Sequence, residues 1–429
     1  MANLKVLNGD GDPKYLKGEG AGSDADPFVP VQTQLIDTNN ASGDAFGRFR
    51  VSNPATLYAQ KFLYSKSDDI FFDEELSGVA STSVHDPANA CVDMDVGATS
   101  GDFVIRQSKQ RINYQAGKSQ LFFFTGLMEA QTGTTKRIGC FQGGIVTPFA
   151  VLDGICFETV GSDYYVKIYK GGAAAFSAIQ SAWNLDTLDG TGPSGLTLDD
   201  SKCQIFVIDY EWLGVGRVRM GFNINGMTVY VHEFLNSNNV TDVYMRSPNR
   251  PVRYELRSTG SNGSLKQICC SVQSEGGQTP AGLVASIRNP SNISISNSFE
   301  LLKAIRLKSD HLDATVLLEK ISTIAVSNGN YEYVVCWNPV IGGTETWVDV
   351  PGAAIQEWTG NGSNAITPSL VIDGGFTSQS INAESIAIDS TLHLGSNIDG
   401  TRDVIALGVR TLAAPSDTFR GGMTVRELI

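Results

Sequence analysis

Between about residues 44 and 275 the chain consists of short apolar or alternating runs, each broken within a few positions by Gly, Asn, Asp or Ser. A period of two sends successive side chains to opposite faces of a strand, which predicts strands at Ser119 to Leu127, Tyr164 to Tyr169 and Gln204 to Tyr210. Turn signals at such intervals point to an antiparallel β-sandwich or jelly roll rather than to alternating βαβ units.

The sharpest local signal is Asn225-Gly226 between Arg217-Val-Arg-Met-Gly-Phe-Asn-Ile224 and Met227-Thr-Val-Tyr-Val-His-Glu-Phe234. An Asn-Gly pair accepts the two positive φ angles of a type I′ turn, so the flanking runs predict a hairpin. An unbroken ladder would pair Ile224 with Met227, Phe222 with Val229 and Met220 with Val231, all on one buried face. Arg219 would then face His232 on the other, wetter side.

Residues Glu275 to Asn292 are rich in Gly, Pro, Ser and Asn and read as a linker, bounded at 276–294. A smaller β-sandwich domain is expected over 295–429, with strands at Leu301 to Leu307, Ala314 to Leu318, Tyr331 to Trp337, Ser369 to Ile372 and Val404 to Val409. Leu317 to Val326 and Ile381 to Ile388 are ambiguous between helix and strand. Residues 1–43, with Gly9-Asp-Gly-Asp-Pro13 and Gly18-Glu-Gly-Ala-Gly22, lack apolar periodicity and read as an extended arm ahead of the 44–275 domain. Within the arm, Val31 to Asp37 alternates like a strand able to pair with a neighbour.

Composition agrees with an all-β chain: 41% hydrophobic residues, 18% charged and 45 glycines in 429 residues. The formal net charge of −13 opposes nucleic-acid binding, which needs clustered Lys and Arg to release counterions. No run of 18 apolar residues is present for membrane insertion, and Met1 to Asp12 lacks the zones of a secretory signal, so synthesis in a cytosol is expected. The seven cysteines have no metal-ligand spacing and read as buried thiols, with cross-links between subunits as the alternative.

Motifs for chemistry are sparse. His85, His232, His311 and His393 are scattered and read as solvated or core residues before general bases. Gly214-Val-Gly216 precedes a strand instead of the helix that would hold a pyrophosphate, so no cofactor is expected. Asp186, Asp189, Asp199 and Asp200 bracket a turn-rich stretch where oxygen ligands for a cation such as Ca²⁺ could converge, although the spacing is not that of an EF-hand. A paired-carboxylate glycosidase site cannot be picked out of the many acids. The five tryptophans read as core or interface anchors.

Four passages carry a resemblance: Gly43-Asp-Ala-Phe-Gly-Arg-Phe-Arg-Val-Ser-Asn-Pro54, Gln115-Ala-Gly-Lys-Ser-Gln-Leu121, Asp209-Tyr-Glu-Trp-Leu-Gly-Val-Gly-Arg-Val-Arg219 and Pro251-Val-Arg-Tyr-Glu255. They resemble a group of virion structural proteins of tailed bacteriophages, of fibre, tail, collar or capsid-surface type. The likeness spans most of residues 31 to 275 and extends into Glu300 to Lys308 and Gly400 to Arg410. It implies a place in the virion and brings no catalytic motif.

Where the arm meets the first domain, Phe46, Arg48, Phe49 and Arg50 are the candidate assembly contacts, since guanidinium groups form bidentate bonds with a neighbouring subunit's carboxylates. The alternative is that they stabilise the domain's own first strand. The expected function is therefore non-enzymatic: a homo-oligomeric subunit, a trimer by analogy with closed rotational assemblies, contacting other virion proteins. A host-glycan-binding module using a polar outer face around Tyr230 is the alternative, followed by a capsid decoration protein or a polysaccharide depolymerase.

Overall fold

The computed structural model describes Ala2–Leu7, Pro13–Glu19 and Val29–Pro30, then residues 43–428 apart from 69, 278–281, 327–328, 359–363, 379–383, 388–391 and 413–416. Every strand pairing among the described residues is antiparallel. The only helical segment among the described residues is the single 3₁₀ turn Gln180–Ala182, and no helix is long and apolar enough to cross a membrane. The chain is all-β.

Residues Met1–Ser42 and Gly43–Ile429 are two separate compact units. In the first, Ala2–Leu7 pairs with Pro13–Glu19, which pairs in turn with Val29–Pro30. The expected extended arm thus contains a small antiparallel sheet, because backbone pairing needs no apolar periodicity. The strand candidate Val31 to Asp37 lies outside the described residues.

The second unit begins with a sandwich of two large sheets. Seven strands run in the order Ala173–Ile179, Asp163–Lys170, Val151–Val160, Thr134–Gly143, Val252–Ser258, Phe103–Ser108 and Phe72–Ser77. Facing them is an eight-stranded sheet, ordered Met227–Phe234, Val218–Ile224, Gln204–Tyr210, Gln120–Leu127, Gly263–Ser274, Cys91–Val96 and Thr82–Asp86, with Ala55–Lys61 also paired to Gly263–Ser274. Alternation explains the core between them: Phe122, Phe124, Phe206, Ile208 and Tyr210 point inward against Ile138, Ile155, Phe157 and Tyr254.

The hairpin forms at the predicted turn, with Asn225 at φ 54° and Gly226 at φ 80°. Ile224 pairs with Met227 and Phe222 with Val229 as expected, but the ladder slips between Met220 and Gly221. Val231 is the extra residue of a β-bulge, so Met220 faces His232 and Arg219 faces Glu233. The bulge leaves Val231 in the core while turning His232 onto Phe234, ring centroids 4.5 Å apart. The supposed wet face is dry: Arg219 is 3% and His232 8% exposed, whereas Met227 at the turn is 61% exposed.

A second, smaller sandwich packs a five-stranded sheet containing Gly282–Arg288, Asp417–Leu428 and Thr315–Ala325 on a six-stranded sheet containing Glu300–Leu307, Val404–Thr411, Asn330–Trp337 and Leu370–Ser378. Ile305, Val316, Tyr331, Val335, Leu407 and Phe419 lie in the core between them. Part of the stretch read as a linker is strand, since Gly282–Arg288 and Ile293–Ile295 both pair with Asp417–Leu428. The ambiguous Leu317 to Val326 is strand through Ala325, and of Ile381 to Ile388 the described part, Glu384–Ala387, is strand as well. The smaller sandwich touches the larger one through Ile398, which packs with Ile105 and Phe149 and whose N–H donates to Asp73 Oδ2 at 2.7 Å.

Candidate assembly site

Strand Gln204–Tyr210 reads Gln-Ile-Phe-Val-Ile-Asp-Tyr, and its alternation sends Phe206, Ile208 and Tyr210 into the core. Asp209 therefore points to the opposite face of the eight-stranded sheet, where it is fully buried. Four donors surround it. Ser119 Oγ–H donates to Oδ1 at 2.6 Å, Arg50 Nη2 and the Tyr230 hydroxyl donate to Oδ2 at 2.7 and 3.1 Å, and Arg219 Nη2 makes a further ion pair. Burial alone would raise the Asp209 pKa, but Arg219, Arg50 and the Ser119 hydrogen bond together hold it below the ordinary carboxylate value.

The same groups hold residues 43–50 on the sheet. The Gly43 carbonyl accepts from Arg219 Nη2 at 2.6 Å and from Arg50 Nε at 3.2 Å. Ala45 N–H donates to Ser119 Oγ at 3.3 Å, and Arg217 donates to the Ala45 and Asp44 carbonyls at 2.9 and 3.1 Å. Arg50 also pairs with Glu275, which accepts from the Ser52 hydroxyl at 3.0 Å. Burial tends to lower the Arg50 pKa, yet Asp209, Tyr230 and Glu275 raise it above its ordinary value, so the guanidinium stays charged.

The two arginines proposed as contacts to a neighbour thus find carboxylates within their own chain. Arg48 pairs with Asp44 at 2.7 Å and lies 4.4 Å from the Phe46 ring centroid. The physical reason is proximity: a local or same-sheet carboxylate is held in place at no cost in association entropy. Of the four candidates, Arg48 and Phe49 are exposed, and Phe49, at 67%, is the apolar one, with the likewise apolar Val51 two positions on at 90%. Sequence reasoning missed Asp209, Ser119 and Tyr230 as members of the site. The available signal was a lone carboxylate inside a seven-residue apolar strand.

A second charged row crosses the outer face of the seven-stranded sheet. Lys167 pairs with Glu158 at 2.8 Å, Glu158 with Arg137 at 3.2 Å, Arg137 with Glu255 at 2.8 Å and Glu255 with Arg253 at 2.6 Å. Arg253 and Arg137 donate to the Pro148 and Phe149 carbonyls at 2.6 and 3.1 Å, strapping residues 144–150 across that face. Burial would raise the Glu158 pKa, but Arg137 and Lys167 hold it down.

The four turn aspartates do not converge on a cation. Asp186 accepts from the Leu188 and Ser194 amides at 2.9 and 2.7 Å, Asp189 from Thr187 and Thr191, Asp199 from Ser201, and Asp200 from the Ala130 amide at 2.8 Å. Asp186, Asp189 and Asp199 are spent on their own turns, and Asp200 ties its turn to Ala130. The one grouping with metal-ligand proximity among the described residues is Asp86, Cys91 and Asp93, within 4.8 Å, where Asp86 already accepts from Ala88 and Asp93 pairs with Lys266.

Five of the seven cysteines are buried, as expected, whereas Cys203 is exposed and Cys269 half-buried. Trp183, Trp337 and Trp358 are buried and Trp212 and Trp347 half-buried. Tyr230, the residue around which a sugar-binding face was expected, is 1% exposed, with its ring 4.1 Å from the Arg219 guanidinium.

No protein-family model matches the chain, and no curated protein sequence matches it. Among solved structures, the β-glucanase of Bacillus licheniformis is similar at 10% identity and TM-score 0.33, over 51% of this chain and 97% of that one. The catalytic domain of an endo-1,3-β-glucanase (laminarinase) from Thermotoga petrophila RKU-1 gives 10% identity and TM-score 0.34, over 52% and 98%. A legume lectin-like domain from Entamoeba histolytica gives 10% and 0.29, over 47% and 89%. None of these carries a role over to this chain.

Proposed function

We propose that the chain is a structural subunit of a tailed-phage virion, a fibre, collar or tail appendage protein that assembles through its N-terminal region and sandwich surfaces. One observation carries the reading. Three of the four passages that resemble virion proteins, far apart in sequence, meet at one place: Arg50 from the first, Ser119 from the second and Asp209 with Arg219 from the third. What those passages build together is the seat that fixes the start of the sandwich unit, and a fixed seat is what an anchored subunit requires.

The chemistry of the seat supports a non-catalytic role. An ionised carboxylate offers about four acceptor positions, and Asp209 accepts four donors, which leaves it none for a reacting proton. A residue so saturated holds geometry. Phe49 and Val51, exposed beside it, offer an apolar contact that a second copy or another virion protein would cover.

The test is light scattering on the purified full chain, alone and with Phe49→Ser and Val51→Ser together. The reading expects an oligomer, a trimer in the specific version, whose dissociation is promoted by the double variant. A chain that stays monomeric at high concentration, with the variant indistinguishable, would count against it.

A further inference from the structure

We propose that the cleft on the outer face of the seven-stranded sheet is a binding site for a carboxylate-bearing saccharide, with Arg257 as the group that recognises the acid. This goes beyond the structural role and does not depend on it.

The cleft encloses about 680 Å³, a size typical of small-ligand sites. It lies beside the strap formed by residues 144–150, and its wall is preorganised because Arg137 and Arg253 hold the strap by its carbonyls. Apolar and hydroxyl-bearing groups both line it: Phe103 and Phe149 on one hand, Thr135 and Thr259 on the other. That mixture suits a ligand with apolar ring faces and hydroxyl edges, and it disfavours a purely hydrophobic one.

Charge narrows the class. Three charged side chains line the cleft: Arg137, Glu158 and Arg257. Both Glu158 oxygens are engaged, by Arg137, Lys167 and Tyr169, so its negative charge is neutralised in place. Arg137 is committed through its terminal nitrogens, while its buried Nε has no partner. Arg257 differs from both. It is exposed, lies 5.3 Å from the Phe149 ring centroid and makes no ion pair among the described residues. Phe149 thus contacts two guanidinium groups, Arg137 at 4.4 Å and Arg257 at 5.3 Å. A guanidinium set over an aromatic ring at the edge of a cleft, with no counter-ion among the described residues, is open to a ligand's anionic group. A ligand carboxylate supplies the missing partner in bidentate geometry, while a long polyanion such as nucleic acid would meet repulsion from the rest of the chain.

The experiment is calorimetric titration of the full chain with four acidic oligosaccharides, built from galacturonate, mannuronate, glucuronate or N-acetylneuraminate units, each against its neutral methyl ester. Binding of at least one acid is expected, about tenfold tighter than its ester, as loss of one charge-assisted pair implies. Arg257→Gln, at an exposed position that leaves the fold intact, should weaken it by a similar factor. Val146→Trp, which fills the mouth from a 91% exposed position without altering charge, should block it. Absence of binding by all four acids at millimolar concentration, or binding equal for acid and ester, overturns the proposal. So does binding untouched by both variants.

Discussion

Arg50 and Asp209, 159 positions apart in sequence, form a 2.7 Å ion pair in which the carboxylate is completely buried and also bound by Arg219. The pair ties the start of the sandwich unit to a central strand of its sheet. Removing one member of such a buried group leaves the others uncompensated, a larger penalty than the net worth of the pair.

Asp209→Ala is therefore expected to destabilise the protein by about 3–5 kcal/mol, because two guanidinium groups lose their shared counter-ion. Combining Asp209→Leu with Arg50→Met should recover part of that loss. Urea denaturation checks both, and strictly additive effects would show that the two residues are not coupled.

The bulge beside Gly221 makes a second prediction. A Cβ at Gly221 would stand 2.3 Å from the Val229 carbonyl oxygen, so Gly221→Ala forces the hairpin ladder apart. A loss of about 2 kcal/mol or more is expected, whereas Thr228→Val near the turn should change stability by less than about 1 kcal/mol. Thermal melts of the two variants compare them directly.

His232 sets part of the acid sensitivity. Burial pushes its pKa down from 6.5 to about 4, and its Nδ1 accepts the Asn184 amide proton at 3.2 Å, which requires the neutral ring. The folded state thus binds this proton less readily than the unfolded state. The resulting stability is present above pH 6.5 and is lost as pH falls through 4, amounting to roughly 1–3 kcal/mol. His232→Gln should flatten the stability profile between pH 7 and 4, and an unchanged slope would assign the acid sensitivity to other groups.

Thiol reactivity should separate the cysteines. Cys203 is exposed, whereas burial pushes the Cys140 thiol up to about 12 and that of Cys336 up to about 11. Under native conditions at neutral pH a maleimide is expected to label Cys203 first, with Cys140 and Cys336 reacting only after unfolding. Peptide mapping reads the order, and early labelling of Cys140 would contradict the packing around it.

Strands written as local patterns were legible in the sequence. Gln204–Tyr210 has the bounds its alternation predicts, and the Asn225-Gly226 turn lies where its φ preferences require. The bulge at Val231 was not, because beside it His232 accepts from the Asn184 amide, 48 positions away, a contact that no ladder rule contains. The candidate site was half legible. Arg48 and Arg50 announced a need for carboxylates: Arg48 meets it locally with Asp44, whereas the partners of Arg50, Asp209 and Glu275, lie 159 and 225 positions away. Tyr230 alternates like a solvent-facing residue, yet it is buried with its hydroxyl on Asp209 and its ring against Arg219, a pairing set by Asp209, 21 positions away and two strands over.

The proposal that this chain is built into a virion is tested most directly by quantitative mass spectrometry of gradient-purified particles of a tailed phage found to carry its gene, separated into head and tail fractions. The account predicts the protein in fixed proportion to known structural components and concentrated in the tail or neck fraction. Its recovery only from the soluble lysate, with none in the particles, would contradict the account.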